Sequence, residues 1–140
     1  NNDPNNCNTY GGLYQWDEAM QYVTTEGTQG ICPTGWHIPT FAEFQTLSST
    51  VGYDGNALKA IGQGSGDGAG TNTSGFSALL AGIRNTVGNF QYLGYSNYFW
   101  SSSEPDINVP STLHVRSYDS AIGFNAANKP NGICVRCIKD

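Results

Sequence analysis

The sequence predicts an α+β fold, two helices in the first half followed by an antiparallel set of strands. Two patterns carry this expectation. Apolar residues recur at helical spacing within 12–25 and again after residue 40, and apolar and polar residues alternate at strand spacing from 112 to 118. The 140 residues fit a single domain spanning 1–140.

Residues 1–9 are polar and turn-prone. A first helix is expected over 12–25, because Leu13, Trp16, Met20 and Val23 form one apolar stripe and Gly27 and Gly30 follow it. Cys32-Pro33-Thr34-Gly35 reads as a turn leading into a short apolar step at 36–38. A second helix starts at Thr40, where Thr40 and Glu43 make a capping box after Pro39 and Phe41, Phe44 and Leu47 supply the buried face. A short helical turn is expected at 56–61. The loop 62–75 holds six glycines and no apolar anchor, so it reads as an exposed excursion.

Strands are expected at 76–84, 89–98 with a continuation to 103, 112–118, 121–126 and 133–138, with tight turns at 118–120 and 128–132. In 112–118, Leu113, Val115 and Ser117 share one face, and His114 and Arg116 the other.

Composition narrows the function. Charged residues make up 12% of the chain, against roughly 25% in ordinary soluble domains. The surface must therefore be built from Asn, Ser, Thr, Gly, Gln and Tyr, a mixture suited to secreted or cell-surface proteins. The net charge is −5 with six scattered Lys and Arg, which argues against nucleic acid and anionic membranes as partners. No apolar run approaches the roughly 20 residues that span a bilayer. No signal peptide is visible, and an anchor would lie outside this segment.

The four cysteines are Cys7, Cys32, Cys134 and Cys137. An even count in such a chain points to structural disulfides. Cys134-Val135-Arg136-Cys137 also has the spacing of a zinc or redox motif. A zinc site lacks its second knuckle, because Cys7 and Cys32 are far apart in sequence, and a redox pair opens a helix rather than a strand. Spacing alone does not fix the connectivity.

Several motifs match a known family in order. They are Asn2-Asp3-Pro4-Asn5-Asn6-Cys7, Tyr10-Gly11-Gly12-Leu13-Tyr14-Gln15-Trp16, Cys32-Pro33-Thr34-Gly35-Trp36-His37-Ile38-Pro39-Thr40, Ser74-Gly75-Phe76-Ser77-Ala78-Leu79, Gly82-Ile83-Arg84, Tyr98-Phe99-Trp100-Ser101-Ser102-Ser103-Glu104 and Gly132-Ile133-Cys134-Val135-Arg136-Cys137. Over nearly its whole length the chain resembles the Fibrobacter succinogenes major paralogous domain. That family is in turn similar to the C-type-lectin and formylglycine-generating-enzyme fold group. The resemblance implies a disulfide between Cys32 and Cys137. Cys134 stands where the family usually has Ser, and it would then pair with Cys7. Because 134 and 137 differ by an odd number, they face opposite sides of a strand and can serve separate bridges.

No catalytic residue is expected. His37 has no nucleophile motif beside it and reads as structural, and His114 reads as a surface or sheet residue. The two histidines give no metal spacing. Glu104-Pro105-Asp106 resembles the triplet of calcium-dependent lectins, so calcium enters as a cofactor for an alternative reading, although the partner Trp-Asn-Asp motif is absent and an ordinary turn fits better. Tyr53-Asp54-Gly55-Asn56 and Gly66-Asp67-Gly68 do not match the EF-hand loop. Formylglycine-generating relatives use a reactive cysteine pair with copper, and no equivalent is visible here. Asn72-Thr73-Ser74 is a glycosylation sequon in the glycine-rich loop.

The leading expectation is a recognition module that binds protein or glycan. Tyr92, Tyr95, Asn97, Tyr98 and Trp100 form one group and Tyr118, Asp119, Phe124, Asn125 and Asn128 a second, with Glu104 and Arg116 between them in sequence as further binding candidates. Tyr with Ser, Gly and Asn gives rigid contact area with adaptable hydrogen bonding. Trp100 and Phe99 also read as core residues. Residues 92–137 are similar to the variable region of proteins diversified by diversity-generating retroelements, with Tyr95, Ser96, Asn97, Tyr118, Asp119, Ser120 and Asn125 of suitable type. The resemblance also implies a localisation of bacterial type. The alternative class is a structural subunit of a surface fibre or pilus, or an appended module on a pilin-like anchor, since members of this family often follow an N-terminal membrane-anchoring helix; a filament or homo-oligomer is the matching partner.

Overall fold

The computed structural model describes residues 3–106 and 109–140; Asn2, which opens the first family-like motif, lies outside them. The elements are α1 (Pro4–Tyr10), α2 (Trp16–Ala19), β1 (Trp36–His37), α3 (Phe41–Thr50), β2 (Ile83–Arg84), β3 (Phe90–Gln91), β4 (Ser96–Trp100), β5 (Ser111–Arg116), β6 (Ile122–Ala126) and β7 (Ile138–Lys139), with 3₁₀ turns at Gly55–Ala57 and Gly66–Gly68. The architecture is α+β.

α3 forms where its local signals place it. The Thr40 side chain accepts from the Glu43 N–H, and the Glu43 carboxylate accepts from the Thr40 N–H at 2.8 Å. Phe44 is buried on its inner face. The first expected helix is shorter than 12–25. Tyr14 pairs with Ile133 across a β-bridge, which keeps residues 12–15 extended. Gln21 and Tyr22 adopt left-handed φ values of 53° and 61° and end the helical path after one turn. Trp16 and Met20 of the stripe are fully buried, whereas Val23 is exposed. α1 replaces the expected coil at the N-terminus. Asp3 caps it by accepting from the Asn5 N–H, and Pro4 opens it.

The central sheet has the order β4-β5-β6, antiparallel throughout. Ser96 faces Arg116 at one end, and Trp100 faces Thr112, which faces Asn125, at the other. Two core clusters sandwich this sheet. One gathers Phe44, Leu58, Ala78, Leu80, Phe99, Leu113, Val115 and Cys134. The other gathers Trp16, Ala19, Met20, Cys32, Ile38, Trp100 and Ile133. Phe99 and Trp100 thus enter opposite cores, as strand alternation requires.

The serine run after β4 continues the sheet contacts. Ser101 N–H donates to Ser111 O, and Ser111 N–H donates to Ser103 O. Ser101 O accepts from the Trp16 indole at 2.8 Å. Ser102 Oγ accepts from the Gly27 N–H, while Ser103 Oγ accepts from the Phe41 N–H at 2.7 Å and donates to Glu26. These three buried residues join the helical half to the sheet.

The other expected strands are interrupted. Within 76–84 only Ile83–Arg84 is a strand; Ser77 has φ 56°, and the segment lines the core with Ala78 and Leu80 instead. The 89–98 stretch is broken at Tyr92, φ 65°, where a turn returns the chain to β4. The closing segment 133–138 holds bridges at Ile133 and Cys134 and a strand only from Ile138, paired with β1. The expected helical turn at 56–61 is a 3₁₀ turn that starts one residue earlier, at Gly55.

Cys32 and Cys137 form a disulfide across 105 residues, with Cα atoms 5.8 Å apart. Cys7 and Cys134 are not bridged. Cys134 is packed inside the first cluster, and Cys7 sits on α1, a helix that buries none of its residues. Cys134 and Cys137 do face different sides, since Cys137 packs against the second cluster. The glycine-rich loop is largely exposed, as expected, but it is anchored at Gly68, which is buried and where a Cβ would lie 2.2 Å from the carbonyl oxygen of Ser117, just past β5.

Candidate functional site

The expected binding residues divide between the two ends of the central sheet. Tyr95 precedes β4, and Tyr118 follows β5. The Ser96–Arg116 pairing brings them together, with ring centroids 5.2 Å apart. Both are about half exposed, at 53% and 47%. Ser117 N–H donates to Tyr95 O and locks the two turns side by side. The Arg116 guanidinium lies 5.2 Å from the centre of the Tyr118 ring and pairs with Asp119 at 2.9 Å. Its charge is balanced locally, so this end is a nearly neutral, aromatic surface.

Tyr92 is exposed and belongs to the same turn, because its carbonyl accepts from the Tyr95 N–H. It also lines a cleft of about 710 Å³ between α1 and the β2–β3 hairpin, with Tyr10, Leu13, Arg84, Phe90 and Leu93. Phe90 and Leu93 are nearly half exposed. Neither residue was expected at a site. Their signal was present as apolar residues in a short Asn/Gly-rich hairpin, but it was indistinguishable from strand core.

Asn97 and Trp100 leave the candidate face. Asn97 is 2% exposed and Trp100 is fully buried, its indole donating to Tyr14 O. Both faces of β4 are covered, so alternation does not give it a free side. Asn97 instead lines a cleft of about 350 Å³ with Phe99 and Cys134. Burial pushes the Cys134 thiol above its usual pKa, with Asn97 and Arg136 opposing.

Asn125 and Asn128 are exposed but lie toward the far end of the sheet. Four residues of strand separate the Ser96 and Trp100 levels, roughly 13 Å. Asn125 Nδ2 contacts His114 Nδ1 at 2.8 Å. His114 is only 8% exposed and stacks on Tyr98 at 5.0 Å, so it is a buried sheet residue and not a surface one. Burial, then Arg116, holds its pKa below the ordinary value, against Asp119. The neutral ring accepts from Asn125. No Cβ fits at Gly123, because His114 Cε1 lies 1.8 Å from where it would be.

Glu104 sits at that far end too. Its carboxylate pairs with Lys129 at 2.7 Å, and Lys129 Nζ also lies 4.4 Å from the centre of the Trp16 ring. Among the described residues, no three His, Cys, Asp or Glu gather as a metal-binding group. His37 bridges Asp140 at 2.6 Å and Glu43 at 3.0 Å. Burial opposes its charge, but the two carboxylates outweigh it and raise its pKa.

No helix among the described residues is long and apolar enough to cross a membrane. No curated protein and no solved structure matches the chain. The family described as Fibrobacter succinogenes major domain matches residues 1–139, and the chain therefore belongs to that family.

Proposed function

We propose that this chain is a secreted or surface-displayed recognition module of bacterial type, which binds a protein or glycan on the aromatic end of its central sheet. The observation that carries the reading is the exposed Tyr95–Tyr118 pair, with Arg116 and Asp119 beside it and Tyr92 on the adjoining turn. Tyrosines in this setting give large contact area at low entropic cost, and their rings also stack on sugars. A charge-balanced surface suits a neutral ligand better than an anionic one.

A C-type-lectin-like arrangement is part of the proposal. It is supported by helices that precede the sheet and by the Cys32–Cys137 bridge, which ties the helical half to the closing segment. Exposed residues at the two turns are suitable for retroelement-driven diversification, and sequences of sibling genes test this: substitutions concentrated at 92–95 and 117–120 support it, and an even spread refutes it. The calcium-dependent reading is weakened, because Glu104 is already engaged by Lys129.

The test is a glycan and protein binding screen, with and without calcium. Tyr95→Ala and Tyr118→Ala should each weaken the strongest hit at least tenfold while the protein stays folded. Unchanged binding in both variants would place the site elsewhere.

A further inference from the structure

Lys59 follows the 3₁₀ turn Gly55–Ala57 and is completely buried. Its Nζ donates to three main-chain carbonyls: Gly68 O at 2.5 Å, Arg116 O at 2.6 Å and Asp119 O at 2.8 Å. The first belongs to the glycine-rich loop, and the other two flank the turn between β5 and β6. Three acceptors match the three N–H bonds of an ammonium group. A neutral amine would leave one carbonyl without a donor, and an apolar side chain would leave all three. Burial pulls the Lys59 pKa down, but Asp119 and Asp54 oppose that pull through space.

We propose that these carbonyls form a monovalent-cation site which the protein fills with its own lysine. Lys59 is then a tethered ion, and removing the tether leaves a site able to take free ammonium or potassium. A ring of carbonyl oxygens is the chemistry by which such ions replace their hydration shell. The site also positions the turn that carries Tyr118. The surrounding main chain completes the clamp: Ser65 N–H donates to Ser117 O at 2.9 Å, and Gly55 N–H donates to Ser120 O at 2.6 Å. The buried Gly68 allows this approach, because a Cβ there would strike Ser117 O. The glycines of the loop thus let carbonyls gather around one charge.

This inference is independent of the recognition reading, since its readouts need no ligand. The test compares wild type, Lys59→Ala and Lys59→Met by thermal melting in sodium, potassium, ammonium and N-methylglucamine chlorides at equal ionic strength. Lys59→Met should melt roughly 10 °C lower in every salt, because it fills the space without charge. Lys59→Ala should fall at least as far in N-methylglucamine and recover part of the loss, saturably, in ammonium or potassium. A wild-type response to ammonium equal to that of Lys59→Ala would overturn the proposal, as would a Lys59→Met protein melting with wild type. Should Lys59→Ala not fold, nitrogen-labelled lysine in the wild-type protein decides the question by NMR. A slowly exchanging Lys59 ammonium signal at neutral pH is the expected result, and rapid exchange like that of exposed lysines would overturn the proposal.

Discussion

The two ends of the central sheet are built on different principles. At the Trp100 end, side chains do the joining: Ser101, Ser102 and Ser103 knit into Trp16, Gly27 and Phe41, and His37 bridges Glu43 and Asp140 nearby. At the Ser96 end, apart from the Arg116–Asp119 pair, the turns are gripped at their main-chain atoms, by the Lys59 ammonium and by the main-chain groups of Ser65, Gly55 and Tyr95. An end sealed by side chains cannot change its residues without breaking bonds. An end held by its backbone leaves side chains such as Tyr118 free for other work.

This contrast can be broken or sharpened by measurement. The largest effect is expected at Trp16, where Trp16→Ala empties the second core and should cost about 3–5 kcal/mol in denaturant unfolding. Replacing both Cys32 and Cys137 by Ser should cost about 2–5 kcal/mol, and melting under reducing conditions should reproduce the loss in the wild type. Ser103→Ala removes the acceptor of the Phe41 N–H and the partner of Glu26, and a loss of about 1–3 kcal/mol is expected. At His37 the effect is a slope. Its pKa is raised on folding, so its contribution is complete below about pH 6.5 and is lost as pH rises through the higher folded value. Melting temperature should therefore decline across that window in the wild type and not in His37→Gln. The smallest effect is expected at Tyr118→Ala, below about 1 kcal/mol by the same unfolding assay. If that substitution costs as much as Ser103→Ala, the two ends are not built differently.

Local signals were readable wherever bonding is local. The Thr40–Glu43 capping box marks α3 within a residue of its start, and the turn at 118–120 sits between two strands as expected. The Asp3-Pro4 cap and N1 pair is also local, but a polar, Asn-rich stretch with no apolar stripe masked α1. Other features depend on distant partners. The first helix is cut short because Tyr14 bridges Ile133. Asn97 and Trp100 are buried because the sheet is covered on both faces, a condition that alternation within one strand cannot reveal. The tyrosines at 92, 95 and 118 are exposed as expected, but Asn125 and Asn128 lie on another part of the surface because antiparallel pairing sets them toward the opposite end. Lys59 carried no sequence signal, since its three partners are backbone atoms up to 60 residues away.

The span of the Cys32–Cys137 bridge also constrains biosynthesis. Cys32 is made 105 residues before its partner, a wait of roughly 5–20 s at ribosomal speeds. Within this segment Cys7 is already present during that interval, and Cys134 emerges before Cys137 does, so two wrong pairings are offered before the right one. Seating Cys134 inside the first core raises its pKa and withdraws it from exchange, whereas Cys7 stays on the surface. Packing before bonding therefore favours the Cys32–Cys137 bridge, and a Cys7–Cys32 product formed early has to be reshuffled to reach it.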